Sequence, residues 1–161
     1  MSKSASNKVL VSMNGGMEAP SWFHTIEPFI QEVLKKLELV SWEVSILFCN
    51  DDFIALLNKE YRSIEGATDV LSFEAGDSYE DEEGVEWYAA GDIVISLDTL
   101  KKNSKEFSVS QDEELKRLLI HGILHLKGYD HSDNSPEQEM LQLQESILSN
   151  FLGENNIIID K

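Results

Sequence analysis

Hydrophobic positions along the chain switch between a spacing of two and a spacing near four, and each switch marks a change of element. Lys8 to Met13 is short and apolar and is ended by Asn14-Gly15-Gly16, which predicts a first strand. Phe23, Ile26, Ile30, Val33, Leu34 and Leu37 recur at three and four residues, so Ser21 to Leu39 is predicted to be a helix that starts or kinks at Pro28. Trp42, Val44, Ile46 and Phe48 alternate with Glu43, Ser45 and Leu47, the pattern of a strand with one buried face. Asp51 can cap a helix running through Leu56, Leu57 and Tyr61 to about Arg62, before Gly66. Asp69 to Phe73 and Asp92 to Leu97 read as two antiparallel strands, since sequential strands usually pair, joined by a long loop. Ser110 and Glu113 form a capping box for a long helix through Leu115, Leu118, Leu119, Gly122 and Leu126, stopped by Gly128. Ser135, Pro136 and Gln138 open a last helix from Pro136 to about Leu152, stopped at Gly153. The order βαβαββαα predicts an α+β fold, a small mixed sheet of about four strands packed with helices, in a single domain over residues 1–161.

Composition adds bounds to this outline. A hydrophobic fraction of 42% over 161 residues suffices for a core that needs no metal to hold it. No apolar run approaches bilayer-crossing length, and Met1 to Asn7 is too polar for a signal peptide, so a cytoplasmic protein without a membrane partner is expected. The single cysteine, Cys49, excludes an internal disulfide framework and reads as buried filler at a strand end. A formal charge of −17 argues against nonspecific affinity for nucleic acid, because phosphate contacts need a positive surface. Asp77, Glu80, Asp81, Glu82, Glu83 and Glu86 concentrate that charge in a solvated acidic loop over about residues 74–90. Lys101, Lys102 and Lys105, followed by Lys116 and Arg117, are either a local phosphate track or a solvated helix face.

The chemistry lies in His121-Gly-Ile-Leu-His125-Leu-Lys-Gly128-Tyr-Asp-His131. Residues four apart on a helix lie about 40° apart around the axis and about 6 Å along it, so two imidazoles can reach one ion. Gly128 can turn the chain back, and His131 then arrives as a third ligand. Three neutral nitrogens with an open fourth position make a catalytic type of zinc site, whereas structural sites are closed and rich in cysteine. Imidazole also suits nickel and other divalent ions. The spacing matches the metzincin protease pattern at all three histidines and the glycine, but Gly122 stands where those proteases carry the glutamate base. The fourth histidine, His24, has no such partner nearby and reads as a surface or packing residue. Asp130 could orient an imidazole or simply form the turn, and Tyr129 could stack on a base or pack into the core. Asp69 and Asp92, at the starts of two strands, could cap turns or face the site. Arg62 follows a helix and has the planar fork that phosphate oxygens favour; a surface salt bridge is its bland alternative.

Taken together, four blocks in order resemble the bacterial YbeY family of metal-dependent endoribonucleases. They are Leu57-Asn58-Lys59-Glu60-Tyr61-Arg62, Thr68-Asp69-Val70-Leu71-Ser72-Phe73, Gly91-Asp92-Ile93-Val94-Ile95-Ser96 and the His121 to His131 block. The resemblance spans about Asp51 to Leu148. It implies His121, His125 and His131 as metal ligands, with Arg62 and His121 in the catalytic centre. It further implies cleavage of single-stranded RNA, maturation of the three-prime end of small-subunit ribosomal RNA, and ribosome quality control. The implied partners are ribosomal RNA and the small subunit, with no specificity for DNA. Glu74 replaces the family's usual proline after the Leu-Ser-Phe run, and the acidic loop is longer than usual; both departures fall at the mouth of a hairpin. Two other readings compete: a metallopeptidase-like hydrolase that draws its base from elsewhere, and a ribosome assembly factor whose metal is mainly structural.

Overall fold

A computed structural model describes residues 7–129, 139–152 and 157–158. Strands β1 (Lys8–Met13), β2 (Trp42–Cys49), β3 (Val70–Glu80) and β4 (Glu86–Ser96) form one sheet in the order β1-β2-β4-β3. β1, β2 and β4 run parallel, and β3 pairs antiparallel with β4, as sequential pairing predicts. Helices α1 (Ile26–Lys36), α2 (Asp51–Arg62), α3 (Leu97–Glu106), α4 (Gln111–Lys127) and α5 (Glu139–Ser149) complete the α+β architecture.

Alternation along β2 and β4 divides the core between the two sheet faces. Val44, Ile46, Phe48, Ile93 and Ile95 point to the face covered by α1 and α4, where the main core lies. Cys49 and Val94 point the other way and form a smaller cluster with Leu71 and with Ile54 of α2. Burial, with Asp51 and Asp98 nearby, pushes the Cys49 thiol up to about 12, which suits a packing residue and not a nucleophile.

Four elements differ from their sequence expectation. Helix α2 is capped not by Asp51 but by Asn50, whose Oδ1 accepts from the Phe53 N–H at 2.9 Å. The first helix is shorter at both ends: a single 3-10 turn at Phe23–Thr25 precedes it, and it closes at Lys36. Pro28 sits in its first turn, where the missing N–H is no loss and the ring forbids much helix upstream. The acidic segment is no loop but the protruding part of a β3–β4 hairpin, with Tyr79 opposite Trp87 and Glu80 opposite Glu86. Its turn is held by Asp81, whose Oδ1 accepts from the backbone N–H of Glu83 and Val85, both at 2.9 Å. The other oxygen, Oδ2, accepts from Trp87 Nε1 at 2.9 Å. Helix α3 was not expected; it follows β4 without a connecting turn, and Ser96, its N-cap, accepts from the Thr99 N–H.

The β4 strand is kinked where α4 crosses it. Both of its pairings shift register around Ala90, and Gly91 has φ +142° there. A Cβ at Gly91 would fall 2.1 Å from the Phe73 carbonyl oxygen and 3.0 Å from Leu126 of α4, so only glycine permits the bulge beneath the helix.

Candidate metal centre

Helix α4 begins and ends where its sequence signals place it. Ser110 Oγ accepts from the Glu113 N–H at 3.0 Å, although the Glu113 carboxylate turns to Arg117 instead of completing the capping box. At the other end Gly128 takes φ +111°, and the Tyr129 N–H reaches the Leu124 carbonyl at 3.0 Å. Leu115, Leu119, Ile120, Ile123 and Leu124 bury the helix, leaving His121 and His125 half-buried on one side. Their imidazole centroids lie 4.7 Å apart with planes 73° apart, so the predicted pair does come together. His131, the third expected ligand, and Asp130 lie outside the described residues, as does the predicted start of the last helix at Pro136. Among the described residues, no set of three His, Cys, Asp or Glu side chains converges on one point.

The glycine between the histidines has a packing reason. A Cβ at Gly122 would approach three carbons of the Ile93 side chain to 2.8–2.9 Å. Ile93 is branched and fully buried, so it cannot yield easily, and α4 rests on β4 through this gap.

One ring nitrogen of the pair has an identified partner. His121 Nδ1 lies 2.7 Å from Gln144 Oε1 of α5. Gln144 Nε2 donates to Glu145 Oε2 at 3.1 Å, and Glu145 is gripped by Arg117 through Nε at 2.9 Å and Nη2 at 3.0 Å. Arg117 also meets Glu113 at 2.8 Å and Glu114 at 3.4 Å. The hydrogen bonds to Glu145 hold the guanidinium charged, and in return hold the Glu145 carboxyl below its ordinary range. Burial pushes the Glu114 carboxyl upward, opposed by Arg117. A cavity of about 860 Å³ opens beside this network, with Asp69, Phe107, Arg117, His121 and Gln144 in its wall.

Gln144 and its anchors had no place in the sequence reading. The signal was present: Met140, Gln144, Ile147 and Leu148 form the buried stripe of α5, and an amide among them asks for a partner.

The remaining candidates are spread around the fold. Arg62 is the exposed last residue of α2, a helix whose Ile54 and Leu57 pack in the smaller core cluster with Cys49, Leu71 and Val94. Among the described residues Arg62 forms no ion pair or side-chain hydrogen bond. Its neighbour Tyr61 stacks edge-on against Phe73 at 5.4 Å, which fixes this end of α2 to the edge strand β3. Asp69 caps its own strand, accepting from the Val70 N–H at 2.8 Å and from Asn103 Nδ2 at 3.1 Å. Asp92 accepts from Ser45 Oγ and points away from α4, since Ile93 beside it faces that helix. Lys116 is buried against Asp112 at 2.9 Å and Arg117 is ringed by carboxylates, so neither extends the α3 lysines into a phosphate track. Tyr129 packs against the core, and His24 is exposed.

Comparison with known proteins matches this arrangement to one family. The Endoribonuclease YbeY family model covers residues 13–152. The Endoribonuclease YbeY of Treponema denticola is 57% identical over 91% of this chain and 94% of its own length. That of Treponema pallidum is 51% identical over 89% of both chains. Among solved structures, the solution structure of TM1509 from Thermotoga maritima superposes with a TM-score of 0.62 at 27% identity, covering 91% of this chain and 90% of that one. With the sheet order, the α4 histidine pair and these likenesses in agreement, the chain belongs to the Endoribonuclease YbeY family.

Proposed function

We propose that this chain is a metal-dependent endoribonuclease acting on single-stranded RNA. Its place would be maturation of the three-prime end of small-subunit ribosomal RNA and ribosome quality control, in the cytoplasm. Family membership at 57% identity supports hydrolysis of RNA. The observation that carries the metal is the His121–His125 pair, two imidazoles 4.7 Å apart on one side of a rigid, capped helix. The donor set fits zinc or a similar borderline ion, with His131 expected as the third ligand and a fourth position left for substrate or water. Such an ion supplies Lewis acidity toward a phosphoryl oxygen and lowers the pKa of a bound water to about 7.

The chain's own residues do the rest. His121 and His125 present ring nitrogens from a helix whose position is fixed by Ile93 and by the Gly128 cap. Arg62, exposed at the end of α2, offers two parallel N–H donors to a phosphate of the RNA strand. A peptidase is disfavoured because position 122 has no room for a carboxylate base. No helix among the described residues is long and apolar enough to cross a membrane.

Metal analysis joined to an RNA cleavage assay tests this reading. Wild type is expected to carry one ion per chain and to cut single-stranded RNA, while His125→Ala loses both. Wild type purified without metal would remove the site, and full cleavage by metal-free His125→Ala would assign the activity to a contaminant. Arg62→Ala is expected to keep its metal and lose cleavage; unchanged turnover would return Arg62 to a structural part.

A further inference from the structure

We propose that Gln144 is a positioning residue that fixes the His121 imidazole with its proton on Nδ1, leaving the Nε2 lone pair for the metal. The proposal rests on the metal reading above and adds a residue of α5 to the histidine pair on α4.

The direction of the hydrogen bonds follows from Arg117 inward. Arg117 can only donate, and it holds both oxygens of Glu145. An ionised carboxylate can only accept, so the Gln144 atom 3.1 Å from Glu145 Oε2 must be the amide nitrogen. The amide carbonyl is thereby turned toward His121, whose Nδ1 lies 2.7 Å from it. A carbonyl oxygen has no proton to give, so Nδ1 must carry one. In a neutral imidazole the other nitrogen is then the acceptor, which is the form that binds a metal through Nε2. Reversing the amide would set its oxygen against the Glu145 carboxylate and its N–H₂ against Nδ1, favouring the opposite tautomer.

The pieces are rigid enough for this to matter. Gln144 is 5% exposed and lies between Met140, Ile147 and Leu148 on the stripe that docks α5. Metal-ligating histidines are typically oriented through their second nitrogen, by a carbonyl, a carboxylate or water. Here the acceptor is a neutral amide, so it selects the tautomer without adding negative charge next to the ion. The charge that orients the amide stays one residue further out, on a carboxylate held by Arg117.

Nitrogen-15 imidazole spectra of the full chain at pH 8, with zinc titrated against a chelator of known affinity, test the proposal. In metal-free wild type, His121 is expected to show a protonated Nδ1 and an unprotonated Nε2. Gln144→Leu is expected to give mixed tautomers and to weaken zinc binding roughly tenfold to a hundredfold. Gln144→Glu keeps an acceptor toward Nδ1, so it is expected to retain the Nδ1-protonated form of His121, although the added charge beside Glu145 changes affinity and stability. An Nε2-protonated His121 in wild type overturns the proposal whether or not any variant folds. A folded Gln144→Leu that binds zinc like wild type overturns it while leaving the metal site standing. Wild type that binds no zinc would overturn both readings.

Discussion

Two polar networks of similar make-up join helices in this protein, and they end differently. In the first, Asp51 at the start of α2 accepts from Ser96 Oγ at 2.7 Å, Thr99 Oγ1 at 2.5 Å and Lys102 Nζ at 2.8 Å. This ties α2 to the corner between β4 and α3. In the second, Arg117 holds Glu145, Glu145 accepts from Gln144, and Gln144 meets His121. Each is built around one cation, paired with Asp51 alone in the first and with Glu113, Glu114 and Glu145 in the second. The first network closes at the exposed Lys102. The second runs inward to the imidazole of a proposed metal ligand. The same ion-pair chemistry is therefore a clasp at one site and an anchor for a reactive group at the other; the identity of the last member decides which.

Three substitutions separate these two uses. His121→Ala removes the acting end of the second network. If His121 is a ligand as proposed, zinc affinity is expected to fall at least a hundredfold, with cleavage lost alongside and little change in unfolding stability. A variant that retained stoichiometric zinc would mean the network ends in packing, as the first one does.

Arg117→Met cuts the anchor. Glu113, Glu114 and Glu145 then share a half-buried space without a cation, and stability at pH 7 is expected to fall by about 1–3 kcal/mol by urea unfolding. Zinc affinity should weaken by less than in Gln144→Leu, because the amide keeps part of its orientation through the backbone of α5. An unchanged affinity with lowered stability would show that the anchor and the acting end are independent.

Asp51→Asn is the mildest change. Burial opposes its ionisation, but hydrogen bonds from Lys102, Ser96 and Thr99 prevail and hold the carboxyl at about 2, below its ordinary 3.8. Because the folded value is depressed, the stabilisation is present above about pH 4 and is lost as pH falls toward 2. The side chain is 22% exposed, so about 1 kcal/mol is expected at pH 7. Zinc affinity should not change. A wild-type stability curve that falls between pH 4 and 2, and a flatter one for Asp51→Asn, would locate this clasp; identical curves would deny it.

How far the fold was legible depended on whether a local signal existed. Ser110 and Gly128 bounded α4 because capping chemistry is local, and the histidine spacing followed from the period of that helix. The alternation of Trp42, Val44, Ile46 and Phe48 placed β2 for the same reason. The hairpin tip was missed because glutamate and aspartate are poor strand formers, and its pairing is carried by the backbone, the Asp81 turn and the Tyr79–Trp87 pair. Helix α3 was missed because its cap, Ser96, is also the last residue of β4, so no turn residues mark the change. Family membership was legible from the four blocks. The Arg117–Glu145–Gln144–His121 network was not, since it joins residues up to 28 positions apart in sequence and depends on how α5 docks.

The contact between Gly122 and Ile93 also bears on evolvability. One substitution, Gly122→Glu, would complete the protease pattern in the sequence. In the folded protein its first side-chain carbon would collide with a branched residue that has no free space to retreat into. Converting this centre to peptide hydrolysis would require lifting the helix off the sheet and repacking β4 beneath it, a coordinated change of many residues. The shared histidine spacing therefore measures little of the distance between the two chemistries; that distance lies in how closely a helix rests on a strand.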